Sequence, residues 1–264
     1  MDAQKYLQAM GLGPVWHLRN PETLAATPEV APEMPSPLVD VAEEKNPPAV
    51  DIAQQEPVRD VTPVQVKQLL TEDMSWEVLQ ETVAACQACR LCQGRQKTVF
   101  GVGDQKARWL FVGEGPGYNE NIQGQPFVGT AGQLLDNMLN ALGLKRGEAT
   151  YIANVVKCRP TDDLGKDRPP SADEIAACLP YLQRQIALIQ PEVIVALGKT
   201  AAIALLGLSP ETPVGQLREK VHHYQSLPLI VTYHPAYLLR KPADKAKAWA
   251  DLCLARSSLG DSAA

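Results

Sequence analysis

The stretch WLFVGEGPGYNE, residues 109–120, decides the fold class because an apolar run passes directly into a glycine-rich turn. A short apolar run that ends at such a turn is typical of a buried β-strand. Three runs of the same kind follow along the chain: TYIANVV at 150–156, EVIVAL at 192–197 and LPLIVTY at 227–233. The sequence therefore predicts four buried strands.

Helical patterns separate these strands. One begins with Thr130 and Gln133 at the spacing of a capping box and ends at Gly143, and a second begins with Ser171 and Glu174 at the same spacing. Two further helical patterns cover residues 199–207 and 242–257. Strands that alternate with helices form a parallel sheet with helices on both faces. We therefore predict a three-layer α/β/α fold with a central, mostly parallel four-stranded sheet.

Ligands of such folds bind beyond the carboxyl ends of the parallel strands. Three segments follow strand ends here: residues 113–117, 154–160 and 234–240. We expect these segments to converge on one site. The first of them is not predicted to be a dinucleotide loop, because Tyr118 stands where the last glycine of GxGxxG would be.

Composition divides the chain into four parts. Residues 21–61 are rich in proline and acidic residues, which predicts a disordered linker because such a segment buries little surface. Residues 1–20 carry a small apolar cluster, which fits either a terminus that packs on the domain or a short peptide that docks on a partner. The folded domain is predicted to span residues 62–258, and residues 259–264 form a short disordered tail.

The net charge of -5 is unevenly distributed. Residues 1–79 carry a net charge of -8, whereas residues 80–264 carry +3. A mildly basic folded part is compatible with a nucleic-acid partner, although charge alone does not establish one. The chain shows no secretory signal, and no apolar run approaches the ~20 residues of a membrane span, so we expect a cytoplasmic protein without membrane contact.

The six cysteines point to a metal centre or to catalysis before disulfides, because cytoplasmic thiols stay reduced. The motif CQACRLC places Cys86, Cys89 and Cys92 close together, and Cys158 and Cys178 follow on the main domain. A CxxC pair with two further thiolates suits zinc or an iron–sulfur cluster. Spacing alone leaves both metals open and does not decide whether Cys92 is a ligand.

Five segments, taken in order, carry a resemblance to a known family: CQACRLCQGR, GEGPGYNENIQGQPFVGTAGQLL, NVVKCRP, CLPYLQRQI and HPAYLLR. With them, residues 80–257 resemble the family 4 uracil-DNA glycosylases, the iron–sulfur type of bacteria and archaea. The resemblance implies an enzyme that flips uracil out of single- or double-stranded DNA and hydrolyses its N-glycosidic bond, without lyase activity. The abasic product would start base excision repair, and we expect a monomer associated with the nucleoid.

The same resemblance implies a [4Fe–4S] cluster. By position, its ligands are Cys86, Cys89, Cys158 and Cys178, whereas Cys92 falls outside the ligand pattern of the family. The cluster is expected to be structural and to join the N-terminal helix to the sheet.

Three residues fit the recognition of a flipped uracil. Phe127 is a candidate stacking platform, and such stacking stabilises a base by roughly 1–3 kcal/mol. The amide of Asn154 offers one donor and one acceptor, which match O4 and N3–H of uracil and mismatch cytosine. The resemblance implies that His234 donates a hydrogen bond to uracil O2, where negative charge grows in the transition state.

The first turn supplies the remaining candidates around the base. Glu114 is predicted to position the attacking water, with water held by the backbone as the alternative. Gly113, Gly115 and Gly117 are predicted to line the uracil site through their backbone. The family 1 enzymes have aspartate and tyrosine at the positions of Gly115 and Gly117, so the family 1 water-positioning residue is missing here.

Residues after His234 are predicted to contact DNA. Leu238 or Leu239 is a candidate wedge for the gap that the flipped base leaves. Arg240 is a candidate phosphate contact.

Two other classes of function are weighed against this one. A covalent uracil-DNA binding protein of the family X type needs a reactive histidine between the segments of Cys158 and Cys178, but no histidine occurs between residues 18 and 221. A non-enzymatic replisome module is suggested by YLQAMGLGPVWHLRNPE, which resembles the clamp-loader-binding peptide of the polymerase III psi subunit. We therefore expect a glycosylase whose residues 1–20 contact the clamp loader.

Overall fold

The structure, a computed structural model, describes residues 71–259. The predictions for the docking peptide at 1–20, the linker at 21–61 and the tail after residue 259 lie outside the described residues. No helix between residues 71 and 259 is long and apolar enough to cross a membrane.

One sheet of six strands forms the centre of the fold. The strands are β1 Val102–Gly103, β2 Trp109–Gly113, β3 Thr150–Asn154, β4 Val193–Leu197, β5 Val221–Tyr224 and β6 Leu227–Thr232. Their order across the sheet is β1-β3-β2-β4-β6-β5. The four inner strands are parallel, as predicted, and β1 and β5 pair antiparallel at the two edges.

The prediction of only four strands was wrong, because it missed both edge strands. β1 has two residues, which is too short for any periodic pattern. β5 reads Val-His-His-Tyr and alternates between exposed and half-buried positions, so it lacks the apolar run of a central strand. The inner strands β2, β3 and β4 are buried at every position, as expected for strands covered on both faces.

Nine helices of four or more residues surround the sheet within residues 71–259. They are α1 Trp76–Ala85, α2 Leu91–Gly94, α3 Tyr118–Gln123, α4 Thr130–Ala141, α5 Ala172–Ile189, α6 Lys199–Leu206, α7 Val214–Leu217, α8 Pro235–Arg240 and α9 Lys245–Ser257. Alternate strand residues contact two separate hydrophobic cores. α1, α5 and α6 bury residues in one core, and α4, α8 and α9 bury residues in the other. The three-layer prediction is confirmed.

The predicted helix signals are confirmed at two of three ends. Ser171 and Glu174 form a capping box at the start of α5. Gly143 follows the end of α4 with φ +79°, a conformation that glycine adopts at low cost. The capping box at Thr130 was wrong, because Gly129 is the N-cap residue and no side chain caps α4.

The strand register brings two predicted site segments together. Gly113 at the end of β2 is paired with Asn154 at the end of β3. On the other side of β2, strand β4 leads to Gly198, whose N–H donates to Thr232 O at 2.8 Å near the end of β6. His234 follows Thr232 by two residues in the chain. The carboxyl ends of the parallel strands, and the predicted site segments after them, therefore lie at one edge of the sheet.

Candidate active site

A pocket opens at the carboxyl edge of the sheet, where the three predicted segments converge. Residues from each of them line it, among them Glu114, Asn154 and His234. Phe127 and Glu120, from the chain between β2 and α4, complete the wall. The convergence that the sequence predicted is therefore confirmed.

Phe127 lies in the pocket wall on a backbone that other residues hold in place. Its φ is +54°, in the left-handed region that bulky residues rarely adopt, and its side chain is 7% exposed. The guanidinium of Arg146 donates to Pro126 O and to Phe127 O, each at 3.0 Å, and its Nε donates to Asp136 Oδ1 at 2.8 Å. Arg146 therefore fixes the main chain that presents the ring.

Glu120 holds the other side of the same loop. Its Oε1 accepts hydrogen bonds from Val128 N at 2.9 Å and from Gly129 N at 3.1 Å. Because these amides directly follow Phe127, a carboxylate and the Arg146 guanidinium clamp the loop from both sides. Sequence reasoning missed Glu120 and Arg146, since each acts through contacts 8 to 20 residues away along the chain.

Asn154 ends β3 with its side chain 1% exposed. Its Oδ1 is buried and has no hydrogen-bond partner within the described structure. A Cβ added to Gly113 would lie 2.4 Å from this oxygen and 2.6 Å from Phe127 Cζ, so only glycine leaves the space open. A buried acceptor without a donor is costly, which indicates that a ligand donor binds beside the Phe127 ring.

His234 is the N-cap residue of α8, and its Nδ1 accepts a hydrogen bond from Ala236 N at 3.2 Å. Its ring centroid lies 5.5 Å from that of Phe127, with 31° between the planes. Burial, together with the positive charge of Arg240, lowers the pKa of His234 to about 4, although the negative charge of Glu120 acts in the opposite direction. At neutral pH the imidazole is therefore uncharged, and with Nδ1 as acceptor its Nε2 carries the proton that can be donated.

Glu114 lines the pocket directly after β2. The Thr200 hydroxyl at the start of α6 donates a hydrogen bond to Glu114 Oε2. The carbonyl of Glu114 accepts from Val156 N at 3.2 Å. Within residues 71–259, Glu114 Oε2 has a hydrogen-bond donor and none is found for Oε1, and Thr200 is a further residue that the sequence did not reveal.

Gly115 and Gly117 also line the pocket. A Cβ on Gly115 would lie 2.7 Å from Val156 Cγ2, and one on Gly117 would lie 2.9 Å from Glu120 Oε2. Neighbouring side chains thus occupy the space that an aspartate or a tyrosine would need at these positions.

The two candidate wedge residues after His234 differ in their surroundings. Leu238 is 1% exposed and packs in the core with α4 and α9, so it cannot reach DNA, and that part of the prediction is corrected. α8 turns successive residues in different directions, which leaves Leu239 44% exposed. Arg240 is exposed as well.

The four cysteines predicted to bind a metal line a second cavity. Cys86, Cys89, Cys158 and Cys178 line one cavity, together with Cys92. Burial raises the pKa of the thiols of Cys89 and Cys158, and that of Cys178 to about 12. Buried thiols of this kind ionise only when a cationic centre compensates their charge, so the donor set fits a thiolate-bound metal group.

The cysteine sulfurs that share this cavity also have neighbours that can donate hydrogen bonds to them. Two donors approach them: Arg95 Nη1 lies 3.5 Å from Cys158 Sγ, and Lys157 N lies 3.2 Å from Cys178 Sγ.

Comparison with known proteins defines the class. Residues 100–253 match the family model of the uracil DNA glycosylase superfamily. The chain therefore belongs to the uracil DNA glycosylase superfamily.

Its similarity to particular members is more specific. It is 40% identical over 187 residues to a type-4 uracil-DNA glycosylase of Pyrobaculum aerophilum, which covers 69% of this chain and 93% of the relative. It is 40% identical over 178 residues to the type-4 enzyme of Thermotoga maritima, covering 67% and 90%. With the type-4 enzyme of Saccharolobus solfataricus the identity is 42% over 175 residues, covering 63% and 78%.

Proposed function

We propose that this protein is a uracil-DNA glycosylase, which hydrolyses the bond between uracil and deoxyribose in DNA. The observation that carries the proposal is the buried Asn154 Oδ1, which lacks a donor and lies beside the Phe127 ring. Similarity to type-4 uracil-DNA glycosylases over most of their length supports the same substrate.

Uracil recognition follows from the amide and the aromatic ring. Uracil N3–H supplies the donor that Asn154 Oδ1 lacks, and the amide N–H2 of Asn154 can donate to uracil O4. Cytosine presents an unprotonated N3 and an amino group, so it would leave the buried oxygen unsatisfied or repel the amide. Phe127 stacks on the face of the base, and the clamp formed by Arg146 and Glu120 holds it there.

His234 stabilises the departing base. Cleavage leaves electrons on uracil, and the negative charge grows at O2. A neutral imidazole whose Nδ1 already accepts from Ala236 N presents its Nε2–H as a fixed donor to that oxygen. Preorganised donors of this kind contribute roughly 3 kcal/mol to transition-state stabilisation.

Glu114 positions the water that attacks C1′. Thr200 occupies Oε2, which leaves Oε1 to accept a hydrogen bond from water and to lie near the cationic sugar. The C1′–N1 bond breaks with its electron pair going to uracil, and the water oxygen bonds to C1′. The carboxylate or solvent takes the proton released from water, and solvent protonates the uracil anion. The products are uracil and an abasic site, and no lyase step follows.

The cysteine cavity would hold a [4Fe–4S] cluster on Cys86, Cys89, Cys158 and Cys178. The raised thiol pKa values and the shared cavity support a thiolate-bound metal group on these residues, and the similarity to type-4 uracil-DNA glycosylases supports the cluster over a zinc ion. When bound, the cluster supplies cross-linking, because its ligands come from the start of the domain, the chain after β3 and helix α5. It is assigned no part in the chemistry of the base.

DNA contacts beyond the base are proposed for Leu239 and Arg240. Leu239 would enter the stack where uracil leaves, and Arg240 would bind a flanking phosphate. The enzyme would act as a monomer at the nucleoid and start base excision repair.

Residues 1–20 would contact the clamp loader. A pull-down with the clamp loader, with the Trp16→Ala variant as control, would test this contact. Equal capture of both chains would contradict that contact.

The central test uses single- and double-stranded oligonucleotides that contain one uracil, followed by alkaline cleavage. We expect strand breaks at uracil from the native protein and at least a tenfold slower reaction from Asn154→Ala. No abasic product from either substrate would contradict the proposed function. A DNA adduct that survives SDS would instead support the covalent alternative.

A further inference from the structure

Lys157 is a fully buried cation between the two sites. Its side chain is 1% exposed. Its Nζ donates to the main-chain carbonyl of Asn154 at 2.9 Å and to Gln185 Oε1 at 2.6 Å. Neither partner carries a charge, and Lys157 takes part in none of the ion pairs found in residues 71–259. A buried ammonium needs a compensating negative charge.

The cysteine cavity supplies that charge. Lys157 lines the cavity, and its backbone N–H donates to Cys178 Sγ at 3.2 Å. Cys158 is the next residue in the chain. An iron–sulfur centre on four thiolates would be net negative, and the Lys157 ammonium interacts electrostatically with one of those sulfurs, that of Cys178.

Gln185 fixes the lysine from the opposite side. While its Oε1 accepts from Lys157, its Nε2 donates to Phe100 O at 3.0 Å. Gln185 is itself 0% exposed. The ammonium therefore has one defined position, in which it binds the main-chain carbonyl of Asn154. Asn154 is the residue whose side-chain Oδ1 has no donor.

We propose that Lys157 is a positioning residue that couples the cysteine centre to the uracil pocket. The thiolate centre stabilises the buried ammonium, and the ammonium holds the Asn154 carbonyl where β3 ends, so that the Asn154 side chain keeps its orientation toward the base. The pocket role of this coupling rests on the proposed uracil chemistry, whereas the electrostatic contact with the cysteine centre does not.

Two substitutions separate the charge of Lys157 from its hydrogen bond. Lys157→Met keeps most of the length and removes both, whereas Lys157→Gln removes the charge and keeps an N–H donor one atom nearer the main chain. Lys106→Met is the matched control, because Lys106 is exposed and lies in neither site. Circular dichroism and iron and sulfide content per chain confirm that each variant is folded and loaded.

The first readout is the reduction potential of the cluster, measured by spectroelectrochemistry and independent of any excision activity. Loss of a nearby positive charge makes reduction harder, so we expect a more negative potential in both Lys157 variants and no change in Lys106→Met. An unchanged potential in both Lys157 variants would overturn the electrostatic contact.

The second readout is single-turnover excision together with binding of uracil-free DNA. We expect Lys157→Met to slow excision roughly 10- to 100-fold, the scale of a misplaced catalytic geometry, with DNA affinity unchanged. Lys157→Gln should recover part of that loss. Native excision by Lys157→Met would overturn the positioning role. If Lys157→Met does not fold, Lys157→Gln decides alone: slower excision with a more negative potential supports the coupling, and native excision with an unchanged potential refutes it. If the native protein shows no excision, the proposed function is contradicted. The reduction potential of the cluster then still tests the electrostatic contact between Lys157 and the cysteine centre.

Discussion

Removal of the Glu120 carboxylate tests the argument that the Phe127 loop is clamped. Its Oε1 accepts hydrogen bonds from two amides, at 2.9 and 3.1 Å. A hydrogen bond to a charged group contributes about 1.5–3 kcal/mol, whereas a neutral one contributes about 1 kcal/mol. At the lower end of the charged range, Glu120→Ala therefore forfeits about 3 kcal/mol of loop stabilisation, and Glu120→Gln, which keeps an acceptor oxygen, forfeits about 1 kcal/mol.

The lost loop stabilisation should slow excision, because Phe127 is held at a positive φ. The left-handed conformation costs roughly 1–2 kcal/mol for a residue with a Cβ, so the released loop relaxes and the stacking surface moves. Since stacking stabilises a base by about 1–3 kcal/mol, excision by Glu120→Ala should fall roughly 5- to 150-fold. Glu120→Gln should stay within about tenfold of the native rate, given the hydrogen bonds it retains.

The assay is single-turnover cleavage of a uracil-containing oligonucleotide at saturating enzyme. Arg146→Met is the companion variant, because it releases the same loop from the other side and should produce a similar loss. A native rate in Glu120→Ala would refute the clamp. An equal loss in the Gln and Ala variants would show that the charge of Glu120 acts on the reaction itself.

Three further predictions follow from single contacts. Because the pKa of His234 is lowered to about 4, activity should persist through mildly acidic pH and fall as pH approaches 4; a pH–rate profile measures this, and a fall in rate near pH 6.5 would contradict it. The free energy of unfolding in urea should decline from about pH 6.5 downward, because the unfolded chain then binds a proton that the folded chain excludes. Gly113→Ala should abolish uracil binding in a folded protein, because the added Cβ would lie 2.4 Å from Asn154 Oδ1. Competition by free uracil measures this binding, and inhibition of the variant equal to that of the native protein would contradict the prediction. Arg218→Met should destabilise the fold by about 3–5 kcal/mol in urea, since Asp251, 0% exposed, loses the partner at 2.7 Å, whereas a change under about 1 kcal/mol would show that the pair is dispensable.

The inner architecture could be predicted because it depends on local patterns. Apolar runs marked the four parallel strands, and the capping box of Ser171 and Glu174 marked the start of α5. Since the ends of parallel strands share one edge of a sheet, the positions of Asn154 and His234 after strands were enough to predict one pocket. Motif order also indicated the family that the comparisons establish.

Edges and surfaces could not be predicted in this way. β1 and β5 are strands because a neighbour offers backbone groups to pair with, since neither carries the apolar run of a buried strand. Leu238 and Leu239 are identical in type and adjacent, and the packing of α8 against α4 alone decides that the first is buried and the second exposed.

The supporting residues of the site belong to the tertiary structure as well. Thr200 reaches Glu114 across 86 residues, and Gln185 meets Lys157 across 28. A local pattern carries the period of a helix or a strand and the identity of a cap, because those depend on neighbours in the chain. Which polar side chain satisfies which buried group depends on distances between elements, and those exist only after the sheet and its two helical layers have packed together.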